Sequence, residues 1–283
     1  MKIKISCDST SDLPPELAER YDIGVVPLII MRGDESLRDG IDVTPQDIYD
    51  YVDSGRGVCI TGAVNVEEYA SHFREYLDRH DAVVHINISS GFSACCQNAE
   101  IAAADVGNVY VVDSMNLSTG SAHLVLDAVR LAAEGVSAPE IKAELDRRAP
   151  LVEASFVIDT LKYLHKGGRC SALAALGANV LRLRPCIEVK RGKMDVGKKY
   201  RGALEKCVAA YVKDRLSGRD DIDYRRIFIT HTAIAPNIVD DVRRIIAESG
   251  PFEEVIETMT NCTVANHCGP GTLGVLFYRT KPE

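Results

Sequence analysis

The stretch HINISSGFSACCQNAEIAAA, residues 85–104, carries the chain from a short apolar run into a segment of small residues. Residues 83–88 have the composition of a buried strand, and residues 94–104 that of a helix. Between the two stand Ser89, Ser90, Gly91 and Ser93. A strand that leads directly into a helix is the repeating unit of an α/β protein, so the stretch predicts that fold class. Its hydroxyls are suited to cap the helix, to bind an anion or to supply a nucleophile.

The same alternation of strands and helices continues on both sides of this stretch. Strands are predicted at residues 3–7, 25–31, 83–88, 109–112, 154–158, 187–190, 226–230 and 273–278. Helices are predicted at residues 44–52, 66–79, 94–104, 121–134, 139–149, 171–181, 203–216 and 236–249. Such repeats predict a largely parallel sheet in the first half of the chain. We expect an N-terminal α/β domain, 1–155, and a C-terminal α/β domain, 156–283.

Composition excludes several classes of partner. The chain has 283 residues, 46% of them hydrophobic, and a net charge of −8. A net acidic chain is poorly suited to bind nucleic acid or an anionic membrane surface. The N-terminus lacks the features of a signal peptide, and no run approaches the roughly 18 apolar residues of a membrane span. We therefore expect a cytoplasmic protein without a stable membrane anchor.

Nine cysteines are scattered along the chain, several of them inside apolar runs. An odd number without a CxxC pair does not indicate a disulfide framework, and such cysteines behave as small hydrophobic residues. The nearest approach to a metal cluster is Cys262, His267 and Cys268, whose spacing fits no zinc pattern well. The sequence therefore predicts no metal site.

Four loops rich in hydroxyl groups follow predicted strands. They are residues 8–12, 61–65, 89–93 and 113–120. Each loop alone is better explained as a helix N-cap, because Ser, Thr, Asp and Asn are the preferred caps. At the carboxyl edge of one parallel sheet, however, the four together would favour a site for an oxyanion held by neutral donors.

Catalytic motifs are weak in this chain. The nucleophile elbow G-x-S-x-G is incomplete around Ser93 and lacks both glycines around Ser90. A phosphate-binding loop and a dinucleotide fingerprint are also missing from the sequence. A serine hydrolase or acyl transferase that uses Ser93 or Ser90 with His267 stays an alternative. The pattern favours a binding protein over an enzyme.

Two residues in the second half of the chain, Arg169 and His267, are candidates for a functional site. Arg169 follows Gly167 and Gly168, which are suited to end a helix, and it is either a solvated surface charge or a cation over a cleft. His267 precedes Gly269-Pro270-Gly271, a segment that can turn tightly and bring the imidazole to a cleft. Burial in the core or exposure at the surface is the alternative for this histidine.

Four groups of residues, in their order along the chain, resemble the DegV family of bacterial fatty-acid-binding proteins. They are Asp8-Ser9-Thr10-Ser11-Asp12-Leu13-Pro14, Ser89-Ser90-Gly91-Phe92-Ser93, Asp159-Thr160-Leu161 with Gly167-Gly168-Arg169, and His267 with Gly269-Pro270-Gly271 and Leu273-Gly274. Each group alone is unspecific, but the ordered set spans nearly the whole chain. The resemblance implies two α/β domains with a ligand tunnel at their junction, which buries the acyl chain of one fatty acid.

The resemblance also implies roles for individual residues. Thr61 and Ser93 would contact the fatty-acid carboxylate, Ser93 doing so beside Gly91. His267 would lie close to this head group, and Arg169 near the mouth of the cleft. The full set of ligand-binding residues expected from the motifs and their neighbours is Thr61, Gly62, Ser90, Gly91, Ser93, Arg169 and His267.

Partners and ligand follow from the same resemblance. Members of the family that serve a fatty-acid kinase present the acyl carboxylate to a separate ATP-binding subunit, which makes acyl phosphate for phospholipid synthesis. A long-chain fatty acid is then the ligand, no cofactor is needed, and the chain is not itself the phosphotransferase. Where the family usually has T-S-Q-P-S, this chain has Thr61-Gly62-Ala63-Val64-Asn65. Apolar residues expected to line the tunnel are Leu173, Leu176, Val180 and Leu181.

A basic stretch stands out in this net acidic chain. Residues 189–199 predict a β-hairpin with Gly192 in its turn, and the stretch continues to Arg201. It includes Lys198, Lys199 and Arg201. These charges are either a solvated face of the hairpin or a docking face for a partner.

Overall fold

The structure, a computed structural model, describes residues 1–170 and 183–281. Its strands are β1 Ile3–Asp8, β2 Gly24–Val26, β3 Ile29–Arg32, β4 Glu35–Arg38, β5 Ile60–Gly62, β6 Ala82–Asn87, β7 Val109–Asp113, β8 Val152–Val157, β9 Leu183–Lys190, β10 Lys193–Arg201, β11 Ile222–His231, β12 Glu254–Met259 and β13 Leu273–Arg279. Its helices are α1 Pro15–Arg20, α2 Pro45–Asp53, α3 Val66–Leu77, α4 Cys95–Val106, α5 Thr119–Ala133, α6 Ala138–Arg148, α7 Lys162–Gly167, α8 Leu204–Leu216, α9 Pro236–Ser249 and α10 Cys262–Cys268. The predicted helix 171–181, with its tunnel residues Leu173, Leu176, Val180 and Leu181, lies outside the described residues.

The first half of the chain forms a parallel sheet in the order β2-β1-β6-β7. Every residue of β6 is buried, as expected for a strand covered on both faces. The stretch 85–104 behaves as predicted: β6 ends at Asn87 and α4 begins at Cys95.

The second half forms a six-stranded sheet in the order β10-β9-β8-β13-β11-β12. Its pairings are antiparallel except for β11 with β12. Helices α8 and α9 pack with this sheet around the buried side chains of Tyr211, Val242 and Phe277. The predicted α/β class, with a parallel-sheet N-terminal domain and a second α/β sheet domain, is confirmed.

Helix α5 lies between the two sheets and joins them. It contacts β1 and β6 of the first sheet and β8 and β13 of the second. Eleven of its fifteen residues are buried, as is expected of a helix enclosed on several sides. The division at residues 155 and 156 stays a prediction; it falls within β8, the first strand of the second sheet.

A third, antiparallel sheet in the order β4-β3-β5 corrects one expectation. The predicted strand 25–31 is two strands, β2 in the parallel sheet and β3 in the small one. Pro27 lies between them and has no amide hydrogen to continue a ladder. Thr61 belongs to β5, so its loop does not follow a strand of the parallel sheet.

The predicted hairpin is present as β9 and β10. Its two turn residues, Arg191 and Gly192, have φ values of 50° and 74°. Positive φ at both central positions is the geometry of a tight turn that matches the twist of the flanking strands. Strand β10 forms an edge of the six-stranded sheet.

Candidate functional site

One cavity of about 430 Å³, here called the main cavity, lies where the three sheets and α10 approach one another. Its volume is within the range of small-molecule sites. It is lined by Leu28, Thr61, Gly62, Ala63, Ile88, Ser90, Gly91, Phe92, Ser93, Ala94, Leu117, Arg169, Met194, Thr263, Val264, His267 and Cys268. All seven residues that the sequence suggested for ligand binding are therefore brought together at one cavity.

The loop between β6 and α4 forms one wall of the main cavity. The carbonyl oxygen of Ser89 accepts hydrogen bonds from the amides of Phe92, at 2.9 Å, and Ser93, at 3.3 Å. Ser93 Oγ in turn accepts from the amide of Cys95 at 3.2 Å. Ser93 Oγ thus accepts from the first amide of α4, one residue ahead of the N-cap Ala94, and Ser93 lines the main cavity.

The tip of the β9–β10 hairpin packs against this loop. Ser89 Oγ donates to the carbonyl oxygen of Gly192 at 3.3 Å. A Cβ atom on Gly91 would overlap the same carbonyl oxygen, so only glycine fits this close approach. The contact carries Met194 of β10 to the cavity wall.

Thr61 and His267 meet although 206 positions separate them in the sequence. Thr61 Oγ1 lies 2.9 Å from His267 Nε2. Burial and the nearby charge of Arg169 lower the pKa of His267 to about 4. The imidazole is therefore neutral at pH 7. A Cβ atom on Gly167 would overlap His267 Nδ1, so this glycine lets α7 pack closely against α10.

Arg169 supplies the single charged side chain among the described residues that line the main cavity. It is exposed, and its guanidinium donates to the carbonyl oxygen of Gly167 at 2.8 Å. Together with the hydroxyls of Thr61 and Ser93 it places one positive charge beside neutral polar groups, whereas the Ser90 hydroxyl donates to Asp113. This combination suits a single carboxylate.

The geometry does not supply a serine hydrolase with its nucleophile and base. Ser90 Oγ donates to Asp113 Oδ2 at 2.5 Å, and Ser93 Oγ lies 3.1 Å from Cys95 Sγ. Nε2 of His267 is occupied by Thr61. A nucleophile needs a base within hydrogen-bond reach, and in the described part of the chain neither serine has His267 as its partner.

The loop at residues 8–12 has a structural role that the sequence did not reveal. Asp8 is fully buried and accepts from Tyr69 Oη at 2.6 Å and from the amide of Ile88 at 2.9 Å. It therefore fixes the end of β6, which precedes the loop of residues 88–94, here called the serine loop. The expectation that all four hydroxyl-rich loops share one edge is wrong, because the loop at 61–65 follows a different sheet.

The basic residues considered for partner docking lie elsewhere. Lys198, Lys199 and Arg201 are exposed on β10, and Lys198 Nζ pairs with Asp214 at 2.6 Å. Met194, on the cavity wall, is four residue steps from Lys198 and seven from Arg201, or about 13 and about 23 Å along an extended strand. The structure thus separates these charges from the main cavity.

Sequence reasoning missed most of the apolar wall, including Leu28, Leu117 and Met194. A local signal existed for α10 alone. Thr263 and His267, and likewise Val264 and Cys268, are spaced four residues apart, so they share one face of a helix. The other apolar residues reach the cavity through long-range packing.

Metal and membrane features can be stated for residues 1–170 and 183–281. There, no group of three His, Cys, Asp or Glu side chains is arranged to hold a metal ion. In the same residues, every helix is too short or too polar to cross a bilayer. All nine cysteines are buried.

Comparison with known proteins agrees with this architecture. A family model described as "Uncharacterised protein, DegV family" matches residues 2–280. A DegV domain-containing protein of Caldanaerobacter subterraneus is 30% identical, over 98% of each chain. A solved structure reporting fatty-acid binding of a DegV family protein from Thermus thermophilus is 33% identical and superposes with a TM-score of 0.87, covering 99% of this chain and 100% of the other. A stearic-acid-binding protein from Eubacterium ventriosum has 25% identity and a TM-score of 0.85, with 98% of each chain covered. The chain described here therefore belongs to the DegV family.

Proposed function

We propose that this protein binds one long-chain fatty acid in the main cavity and is not itself an enzyme. The observation that carries the proposal is that the polar and the apolar residues of the main cavity adjoin different neighbouring pockets. Thr61, Arg169 and His267 also line a smaller pocket, together with Lys166. Leu117, Val264 and Cys268 instead adjoin a second, largely aliphatic cavity. A molecule with a charged head and a hydrocarbon tail matches this arrangement.

The head group in this proposal is a carboxylate held by neutral and charged donors. An isolated carboxylate in apolar surroundings costs several kcal/mol, so it must receive hydrogen bonds. Thr61 and Ser93 offer hydroxyls, and Arg169 offers a guanidinium. His267, neutral because its pKa is lowered to about 4, can donate from Nε2 to Thr61 Oγ1, which leaves the Thr61 proton for the carboxylate and adds no second charge. Gly62, Ser90 and Gly91 would shape the loops around the head group.

The acyl chain supplies most of the affinity. Each buried methylene contributes about 0.8 kcal/mol, so even a partly enclosed tail outweighs the head group's hydrogen bonds. Ile88, Phe92, Met194 and Val264 are suited to line its path. The fatty acids bound by the Thermus and Eubacterium relatives support the same ligand class.

Mass spectrometry of the purified protein tests the proposal. Under native conditions we expect an added mass that matches one fatty acid, and under denaturing conditions we expect the mass of the chain alone. A mass that persists after denaturation would instead indicate an acyl-enzyme and revive the hydrolase with Ser93 or Ser90 and His267. Failure both to extract lipid and to bind added oleate would overturn the proposal.

We further propose that the bound carboxylate is presented to a separate ATP-binding kinase subunit in the cytoplasm, for acyl-phosphate formation. Support comes from the lack of a phosphate-binding loop in the sequence and from the basic edge strand β10. The burial of nine cysteines suits a reducing compartment. Lys198, Lys199 and Arg201 are the proposed docking residues.

An assay with the loaded protein, ATP and a kinase subunit of the same organism tests this second step. Lys199→Gln with Arg201→Gln should slow acyl-phosphate formation several-fold and leave fatty-acid binding unchanged. Arg20→Gln with Arg79→Gln removes two exposed charges elsewhere and serves as the control. Equal rates for both double variants would contradict docking at β10.

A further inference from the structure

A second cavity adjoins the main cavity at its apolar side. This end compartment measures about 30 Å³, against about 430 Å³ for the main cavity. The two share three wall residues, Leu117, Val264 and Cys268, here called the neck. Leu117 lies between β7 and α5, whereas the other two share one face of α10. The neck is therefore built from both halves of the chain.

The end compartment presents hydrocarbon although four of its lining residues carry hydroxyls. Ser118 Oγ donates to Asp12 at 2.5 Å, and Thr272 Oγ1 donates to the carbonyl oxygen of Cys268 at 3.1 Å. Thr230 Oγ1 lies 2.5 Å from Thr119 Oγ1. These three hydroxyls are engaged with protein partners. The fourth, Thr260 Oγ1, is buried and has no hydrogen-bond partner among the described residues, so the lining is apolar apart from this one group. The apolar residues beyond the neck are Ala154, Phe156, Val189 and Leu276.

We propose that the neck and the end compartment select the fatty acid by the length of its chain. This inference rests on the proposed fatty-acid binding and adds a substrate class to it. Chains that stop short of the neck leave the end compartment empty. Chains whose last carbons pass Leu117 fill it, and chains longer still must overpack it. Affinity then rises with length to an optimum and falls beyond it.

Hydrophobic transfer determines how steeply affinity rises with chain length, and close packing determines how steeply it falls beyond the optimum. Each additional buried methylene increases affinity about four-fold. A cavity needs about 10–15 Å³ to hold one small group the size of a water molecule, so the end compartment, at about 30 Å³, has room for the last one to three carbons. Beyond that, inserted atoms meet a close-packed wall and weaken binding.

Affinities for a saturated series from dodecanoic to eicosanoic acid test the inference. Leu117→Ala removes the side chain that divides the cavities, so the optimum should move to a longer acid. We expect octadecanoic acid to gain about tenfold over tetradecanoic acid, relative to the unaltered protein. Ala154→Val fills part of the end compartment and should move the optimum to a shorter acid.

Leu131→Ala is the matched control, because Leu131 has the same near-complete burial as Leu117 but lies outside both cavities. If Leu117→Ala does not fold, Val264→Ala and Ala154→Val decide the question. An unaltered protein that binds no acid of the series would defeat the proposed function. An unaltered protein that binds them, with the same length profile in the neck variants as in Leu131→Ala, would defeat only this inference.

Discussion

Thr61 and Ser93 illustrate how single side chains take two roles. Thr61 reaches His267 from β5, and Ser93 Oγ accepts from the amide of Cys95 at the start of α4. A carboxylate only accepts hydrogen bonds, so each hydroxyl can serve it solely through its single proton. Thr61 has its proton free for a carboxylate when His267 donates from Nε2, whereas the Ser93 hydroxyl must turn its proton away from Cys95 Sγ and toward the ligand.

Thr61→Val and Ser93→Ala should each weaken oleate binding about tenfold. A hydrogen bond to a charged group contributes about 1.5–3 kcal/mol, and part of it is replaced by the remaining donors. Thermal-shift titrations with oleate measure the effect. Thr280→Val and Ser71→Ala, at exposed positions, are the controls. Unchanged affinity in both cavity variants would show that these hydroxyls do not bind the carboxylate.

Gly91→Ala should destabilise the protein by about 1–3 kcal/mol, because the new methyl group overlaps the carbonyl oxygen of Gly192. Urea unfolding measures the change. Gly62→Ala is the comparison, since Gly62 lines the same cavity and its nearest neighbour, Ile29 Cβ, stands 3.3 Å from the added atom. An equal decrease in the free energy of unfolding in the two variants would mean that the contact between Gly91 and the hairpin does not account for the effect of Gly91→Ala.

Buried histidines make stability depend on pH. Burial lowers the pKa of His123 to about 3, against 6.5 for the free side chain. Between these values the unfolded chain binds a proton that the folded chain does not, so stability falls as pH falls. His123→Gln should remove about one proton from the uptake on unfolding. The measurement is the slope of unfolding free energy against pH between 7 and 4.5, and an unchanged slope would contradict the assignment.

At the scale of elements, the structure explains how the chain accommodates its unusual sequence at residues 61–65. Val64 is buried, and Asn65 begins α3 with a capping box: its side chain accepts from the amide of Glu68 at 2.9 Å, and Glu68 accepts from its amide at 3.1 Å. The departure from the family's usual T-S-Q-P-S thus leaves a well-formed helix start. Thr61, at the other end of the loop, keeps its hydroxyl in the main cavity.

Asn65→Ala should therefore lower the free energy of unfolding by about 1 kcal/mol, the usual value of a lost N-cap. Oleate affinity should stay unchanged, because the residue does not line the main cavity. Chemical unfolding and the oleate titration, run on the same preparation, separate the two effects. A loss of affinity without a loss of stability would assign Asn65 to the binding site instead.

At the scale of the whole molecule, α5 and the cavities couple the two sheets. The main cavity takes its walls from both halves of the chain, so a bound ligand would contact both. A ligand that binds only the folded state stabilises it, by about 2.7 kcal/mol at a hundredfold excess over Kd.

Removal of lipid should accordingly lower the melting temperature by several degrees, and addition of oleate should restore it. Scanning calorimetry of the purified, delipidated and reloaded protein makes the comparison. Octanol at the same concentration, which lacks the carboxylate, controls for a general effect of apolar solutes. Identical melting temperatures before and after delipidation, with lipid loss verified by mass, would contradict the coupling.

The sequence by itself determined the alternation of strands and helices, the parallel first sheet, the β9–β10 hairpin and the serine loop. Apolar periodicity, turn residues and caps act over a few positions, so they can be recognised locally. Only the tertiary structure decided that 25–31 divides between two sheets and that Asp8 supports the site without lining it. It alone brought Thr61 to His267 and Leu117 to α10. A cavity is formed by the packing of segments that are distant in the sequence, and such contacts produce no regular residue spacing that could be recognised in the sequence.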